Sequence, residues 1–169
     1  MESDSEHTWT VTLSCMLLAE ALDEEFKDQG GIDTFKVIKM ALIHDLPEII
    51  TGDFATWDDA ARTNKEEDEQ AAMQELTKDL PEHTRDELRS LWHECEAMET
   101  LEAKIVKSID RMDPVMQRVE FGIGFFDAHD GSLQKLDERQ YPRHEFSQTL
   151  TLLYNTLREE ALKKEMFKK

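Results

Sequence analysis

The sequence predicts an all-α, compact helical bundle. Three observations predict it: apolar residues recur at helical rather than alternating spacing, only 6 glycines and 4 prolines punctuate 169 residues, and capping signals stand at the heads of the periodic segments. The first helix starts at Ser3, which has capping-box spacing with Glu6, and runs to about Phe26, with Gly30 and Gly31 ending the segment. On it His7 shares a stripe with Val11, Ser14, Leu18, Ala21 and Leu22, so it faces inward. Asp33 or Thr34 caps the second helix. Its residues Phe35, Val37, Ile38, Met40, Ala41, Leu42 and Ile43 cover most of its circumference, which places it in the middle of the bundle; only Lys36 and Lys39 mark a wet side.

Pro47 removes a backbone donor and biases Leu46 away from helical angles, so the second helix stops near Asp45. A short helix begins at Pro47 and ends at Gly52, and residues 53–64 read as a loop. Further helices are expected over Lys65–Leu80, Thr84–Met98 (Thr84 and Glu87 having capping-box spacing), Thr100–Glu120 and His144–Lys169. Residues 122–143 read as a long glycine-containing loop. Met16, Met40, Met73 and Met112 read as core filler, and His83, His93 and His144 as surface or packing residues.

The length suits one domain over residues 1–169. A net charge of −18 argues against a nucleic-acid groove and repels phosphate esters over long range, so a phosphate-handling site needs concentrated local positive charge. No apolar run approaches a membrane span, and the polar, acidic start shows no signal peptide. Cys15 and Cys95 read as reduced thiols of a cytoplasmic protein.

The stretch ALIHDLPEIITGD, Ala41 to Asp53, sets ionisable groups at the end of the most apolar helix. On the helical wheel His44 lies in line with Val37, Met40 and Ala41, and Asp45 near Ile38 and Ala41, so both project from the last turn into the interior. A helix C-terminus favours a cation, and imidazole nitrogen with carboxylate oxygen suits a first-row divalent metal. His129–Asp130 is a second such pair, read as loop decoration because nothing comparable to Glu48, Gly52 and Asp53 follows it.

His44-Asp45-x-x-Glu48-x-x-x-Gly52-Asp53 resembles the signature of the HD-domain metal-dependent phosphohydrolases, in particular the branch of small 5′-deoxynucleotidases. The opening SEHTW, with His7, resembles that branch's first-helix motif, and KSIDRMDP, with Asp110, its late-helix motif. The resemblance implies an HD-type bundle in which His7, His44, Asp45 and Asp110 hold one divalent ion (manganese, cobalt, iron or magnesium). It also implies that Glu48 and Asp53 handle protons, and that water attacks the phosphorus of a nucleoside 5′-monophosphate directly.

Periodicity alone leaves Asp110 and Asp113 as alternatives, since Asp113 sits closer to the stripe of Leu101, Ile105, Ile109 and Met112, and Pro114 could start a new helix capped by Asp113. Lys107 resembles a phosphate-binding lysine of relatives, with Lys104 and Arg111 as nearby alternatives, and Trp57 could stack on a base. Relatives carry a further helix before the first motif, whereas six residues precede His7 here, implying a truncated chain or a more open site. A homodimer is implied by resemblance alone. The other readings are a nucleotide polyphosphate or cyclic-dinucleotide phosphohydrolase, and a non-catalytic, metal-stabilised partner-binding module.

Overall fold

Residues 3–52, 65–125 and 131–167 are described by a computed structural model. They form eight α-helices and one 3-10 turn: α1 (Asp4–Phe26), the turn Lys27–Gln29, α2 (Thr34–Ile43), α3 (Glu48–Thr51), α4 (Lys65–Thr77), α5 (Glu82–Ala97), α6 (Leu101–Phe121), α7 (Leu133–His144) and α8 (Gln148–Lys163). Among the described residues there is no strand.

The start of α1 follows its sequence signal. Glu6 N–H donates to Ser3 Oγ at 3.3 Å and Ser3 N–H to Glu6 Oε2 at 2.9 Å, so the capping box closes in both directions. At the far end Gly31 sits at φ 75°, and a Cβ there would meet Asp23 Oδ1 at 2.5 Å. That carboxylate accepts the Ile32 N–H, so glycine is what lets the chain turn back against α1.

α6 is the central helix and packs against α1, α2, α5, α7 and α8. Its Ile105, Val106, Ile109 and Met112 meet Val11, Cys15 and Leu22 of α1, Val37, Met40 and Ala41 of α2, and Leu150 and Tyr154 of α8 in one core. Each fully buried Val, Leu, Ile or Met among them contributes roughly 1.5–3 kcal/mol by leaving water. α8 is tied to α1 by Glu25, whose carboxylate accepts from Ser147 Oγ (2.9 Å), Gln148 N–H (2.6 Å) and Thr149 N–H (3.0 Å). Burial raises the Glu25 pKa, but these donors outweigh it and hold the group below the usual carboxylate range.

Several expectations are corrected. The segment expected as a loop over 122–143 contains α7, capped by Ser132, whose hydroxyl accepts from Lys135 N–H. Half of its inward positions, Leu136, Gln140, Tyr141 and His144, are polar, so apolar periodicity understated it. The last helix consequently begins at Gln148 rather than His144 and stops at Lys163. α5 begins at Glu82, after Pro81, so no capping box forms at Thr84. α4 ends at Thr77, short of Leu80, and α2 ends at Ile43, two residues early, because Pro47 cannot donate to the Ile43 carbonyl. α6 runs unbroken through Pro114, so Asp113 caps no new helix.

Met16 is 56% exposed and is not core, unlike Met40, Met73 and Met112. Cys15, rather than Ser14 or Ala21, continues the buried stripe of α1. α2 is open on one side, where Phe35 and Leu42 are exposed.

Burial pushes the His144 pKa down to about 4, and Arg143 beside it adds to the effect. The folded protein therefore keeps His144 neutral while the unfolded chain takes up a proton near pH 6.5. This contribution is complete above about pH 6.5 and declines as pH falls, by ~1.4 kcal/mol per unit, to a loss of ~3 kcal/mol near pH 4. Denaturant titrations at pH 7.5 and 4.5 should show the parent losing ~3 kcal/mol more than His144→Gln. Equal losses would refute the neutral, buried imidazole.

Candidate metal centre

Three elements meet where α2 ends. α1 supplies His7, the turn after α2 supplies His44 and Asp45, and the middle of α6 supplies Asp110. One ligating atom from each of the four lies within 4.8 Å of the others. His7 Nε2 stands 3.3 Å from Asp45 Oδ2 and 3.2 Å from Asp110 Oδ1. His44 Nε2 stands 3.1 Å from Asp45 Oδ2 and 3.8 Å from Asp110 Oδ1. Ligands at ~2.1 Å around a single ion sit roughly 3 to 3.4 Å from their neighbours, so these spacings suit one common ion.

The groups behind the rings orient them. His44 Nδ1 is 2.9 Å from the Ala41 carbonyl, which can only accept, so Nδ1 carries the proton and Nε2 faces the cluster. His7 Nδ1 is 2.9 Å from Asp113 Oδ2, which aims its Nε2 at the same space. Gln117 Nε2 donates to that Asp113 oxygen at 2.7 Å, one helical turn on. His44 Nε2 is buried and, although 3.1 Å from Asp45 Oδ2, makes no hydrogen bond. A buried, orphaned imidazole nitrogen facing two carboxylates is what a divalent cation satisfies. The donor set fits such an ion.

Without a cation the cluster gathers protons. Burial opposes charge on His7, but Asp110, Asp113 and Asp45 outweigh it and raise its pKa to about 12. His44 is likewise opposed by burial and raised to about 9 by Asp110 and Asp45. Burial alone would push Asp45 and Asp110 up, yet the two imidazoles hold both carboxylates well below their usual range.

The other expected residues fall into three groups. Lys107, one turn before Asp110, is largely buried and paired with Glu96; burial disfavours its charge, but Glu96 and Asp110 raise its pKa. Arg111 Nε is buried without a hydrogen-bond partner and lies 3.9 Å from Asp110 Oδ2. Glu48, at the head of α3, lies outside the four-atom cluster, with its Oε1 3.8 Å from Lys65 Nζ. Lys104 is exposed. Asp53, Trp57 and the His129–Asp130 pair lie outside the described residues.

The sequence left Asp110 and Asp113 open. In the fold Asp110 enters the cluster and Asp113, fully buried, sits behind His7. The signal for that second role is two carboxylates and Gln117 at one-turn spacing along a single helix face, though nothing in the pattern names His7 as their partner.

Residues 1–151 match the model of the family described as HD domain. The chain belongs to the HD-domain family. Among curated relatives, the 5′-deoxynucleotidase HDDC2 of Xenopus laevis is 36% identical over 120 residues, 71% of this HD-domain chain and 55% of the relative. The protein of the same name from Homo sapiens is 34% identical, with coverage of 71% and 54%. This HD-domain chain thus spans about half the length of those relatives. A solved structure named "Predicted metal-dependent phosphohydrolase", from Magnetospirillum magnetotacticum MS-1, superposes with a TM-score of 0.77 at 29% identity, covering 99% of this chain and 81% of that one. A conserved hypothetical protein from Pyrococcus furiosus gives 0.64 at 30%, covering 94% and 84%. Among the described residues, no helix of this HD domain is long and apolar enough to cross a membrane.

Metal binding to this HD domain requires neutral imidazoles, whereas both histidines are protonated at pH 7 in the ion-free protein. Loading with manganese at pH 7 should therefore release at least one proton per ion, and affinity should rise as pH increases towards about 9. Calorimetry in two buffers of different ionisation enthalpy measures the release. No proton release, or affinity independent of pH, would contradict the coupling.

Proposed function

We propose that this single HD domain is a metal-dependent phosphomonoesterase that hydrolyses nucleoside 5′-monophosphates, deoxynucleotides preferred, to nucleoside and phosphate. The observation that carries the reading is the convergence of His7, His44, Asp45 and Asp110, with both rings turned so that Nε2 faces the common space. The relatives named 5′-deoxynucleotidase support the substrate class. The ligands are these four residues, and the ion is manganese, cobalt, iron or magnesium. When bound, it supplies Lewis-acid activation of a water and of a phosphate oxygen.

The chain's own residues do the rest. Glu48, a mostly buried carboxylate on the turn after the ligands, orients the attacking water and takes its proton. Lys107 and Arg111 flank Asp110 on α6 and supply positive charge to the phosphate, offsetting the repulsion of a chain of charge −18. Asp53 returns a proton to the departing ribose oxygen and Trp57 stacks on the base; both roles rest on the motif and its neighbourhood in sequence. We assign the protein to the cytoplasm and to a homodimer. The dimer is supported by Trp9, Leu13, Met16 and Leu17, an exposed apolar stripe on a stretch of α1, Thr8–Ala19, that carries no charge.

Phosphate release from a panel of nucleoside monophosphates with added manganese, cobalt or magnesium tests the reading. Asp45→Ala should abolish turnover and metal binding together. Glu48→Gln should lower kcat by roughly 10²- to 10⁴-fold while the ion still binds. Equal rates in Asp45→Ala and the parent reject the site. Release of pyrophosphate or of nucleotides instead of orthophosphate assigns the polyphosphate or cyclic-dinucleotide alternative. Metal-dependent melting without turnover on any ester assigns the non-catalytic one.

A further inference from the structure

Behind the ligand cluster lies a buried polar chain that the proposed chemistry does not use. Ser108 Oγ is 2.5 Å from His144 Nδ1, His144 Nε2 is 2.8 Å from Gln140 Oε1, and Gln140 Nε2 is 3.0 Å from the Arg111 carbonyl. Ser108 and His144 are essentially inaccessible and Gln140 is 8% exposed. Its polarity is fixed from one end. The Arg111 carbonyl only accepts, so Gln140 presents its amide N–H₂ there and its oxygen to His144. His144 then donates from Nε2 and accepts the Ser108 hydroxyl at Nδ1. Every member is satisfied, and the chain runs from α6 out to α7 and back to α6.

Where it returns matters. Pro114 lies inside α6 and has no N–H to give the Asp110 carbonyl four residues earlier, so the turn that presents Asp110 lacks one helical hydrogen bond. The same turn carries Asp113, which orients His7. Gln140 binds the carbonyl of Arg111, between them. If packing of α7 on α6 were the only need, apolar side chains would serve without the desolvation cost of three buried polar groups.

We propose that Gln140 and His144 are positioning residues for the metal centre, bracing the Pro114-weakened turn of α6 so that Asp110 and Asp113 keep their places. The inference rests on the metal-site reading above. It requires that loosening α7's grip displace the two carboxylates by enough to degrade a site whose ligands tolerate errors of only about 0.5 Å.

Gln140→Met removes both links at similar volume. It should raise the dissociation constant for Co²⁺ 10- to 100-fold, the usual loss for groups that orient ligands, and alter the visible spectrum of bound Co²⁺. In the ion-free protein, amide hydrogen exchange should quicken over residues 110–116. Tyr141→Phe is the control: it deletes a 2.7 Å bond from the same helix to Asn155 of α8 and should change none of these. Gln140→Glu keeps the acceptor for His144 and loses the donor to Arg111; it serves where Gln140→Met does not fold, and should shift the constant in the same direction. Parent-like Co²⁺ affinity and spectrum in the Gln140 variants, or a loss matched by Tyr141→Phe, overturns the positioning role alone. A parent that binds no Co²⁺ overturns the metal-site reading and this inference with it.

Discussion

Two carboxylates that point at each other in a largely dehydrated space are the constraint from which the rest of this molecule follows. Asp45, from the turn after α2, and Asp110, from the middle of α6, are distant in sequence, and their carboxylates repel unless positive charge stands between them. In the ion-free chain the two imidazoles provide it by taking up protons, which is why both histidines are pushed so far up. A divalent ion provides it more compactly and frees those protons. The local architecture serves that junction: α2 ends at Ile43 so that the turn before Pro47 presents His44 and Asp45, α1 delivers His7 one turn after its cap, and α6 passes through the middle carrying two carboxylates in different places.

The same constraint reconciles an acidic chain with the phosphate ester proposed as its substrate. At −18 the surface field discourages anions, so attraction has to be built at short range, within less than a Debye length of the phosphorus. An ion held by two neutral and two anionic ligands keeps little net charge of its own. Lys107 and Arg111, on either side of Asp110, therefore carry much of the burden in the proposed mechanism. Lys107 is held in place by its pair with Glu96, while Arg111 Nε stands 3.9 Å from Asp110 Oδ2.

What the sequence made legible, and what it hid, divides along physical lines. Local signals were readable: the Ser3–Glu6 box, the break at Pro47 and the inward face of His7 each depend on residues a turn apart. The adjacency of His44 and Asp45 pointed to a candidate site, and the fold brings both into one cluster with His7 and Asp110. Long-range assignments were not readable from pattern. Asp113 belongs behind His7 through a contact spanning 106 residues, and Glu25 caps a helix more than 120 residues away. α7 was hidden for a related reason: its inward face is half polar because Gln140 and His144 answer Ser108 and the Arg111 carbonyl rather than an oily core. Met16 misled because it is apolar and helical yet sits on the open stripe of α1.

The most direct test of the central claim is an anomalous-scattering map of crystals soaked in manganese or cobalt. The account predicts one strong peak bonded to His7 Nε2, His44 Nε2 and one oxygen each from Asp45 and Asp110, with Asp113 still on His7 Nδ1. A peak bonded to Asp113 in place of Asp110, or no peak within reach of both imidazoles, would contradict it.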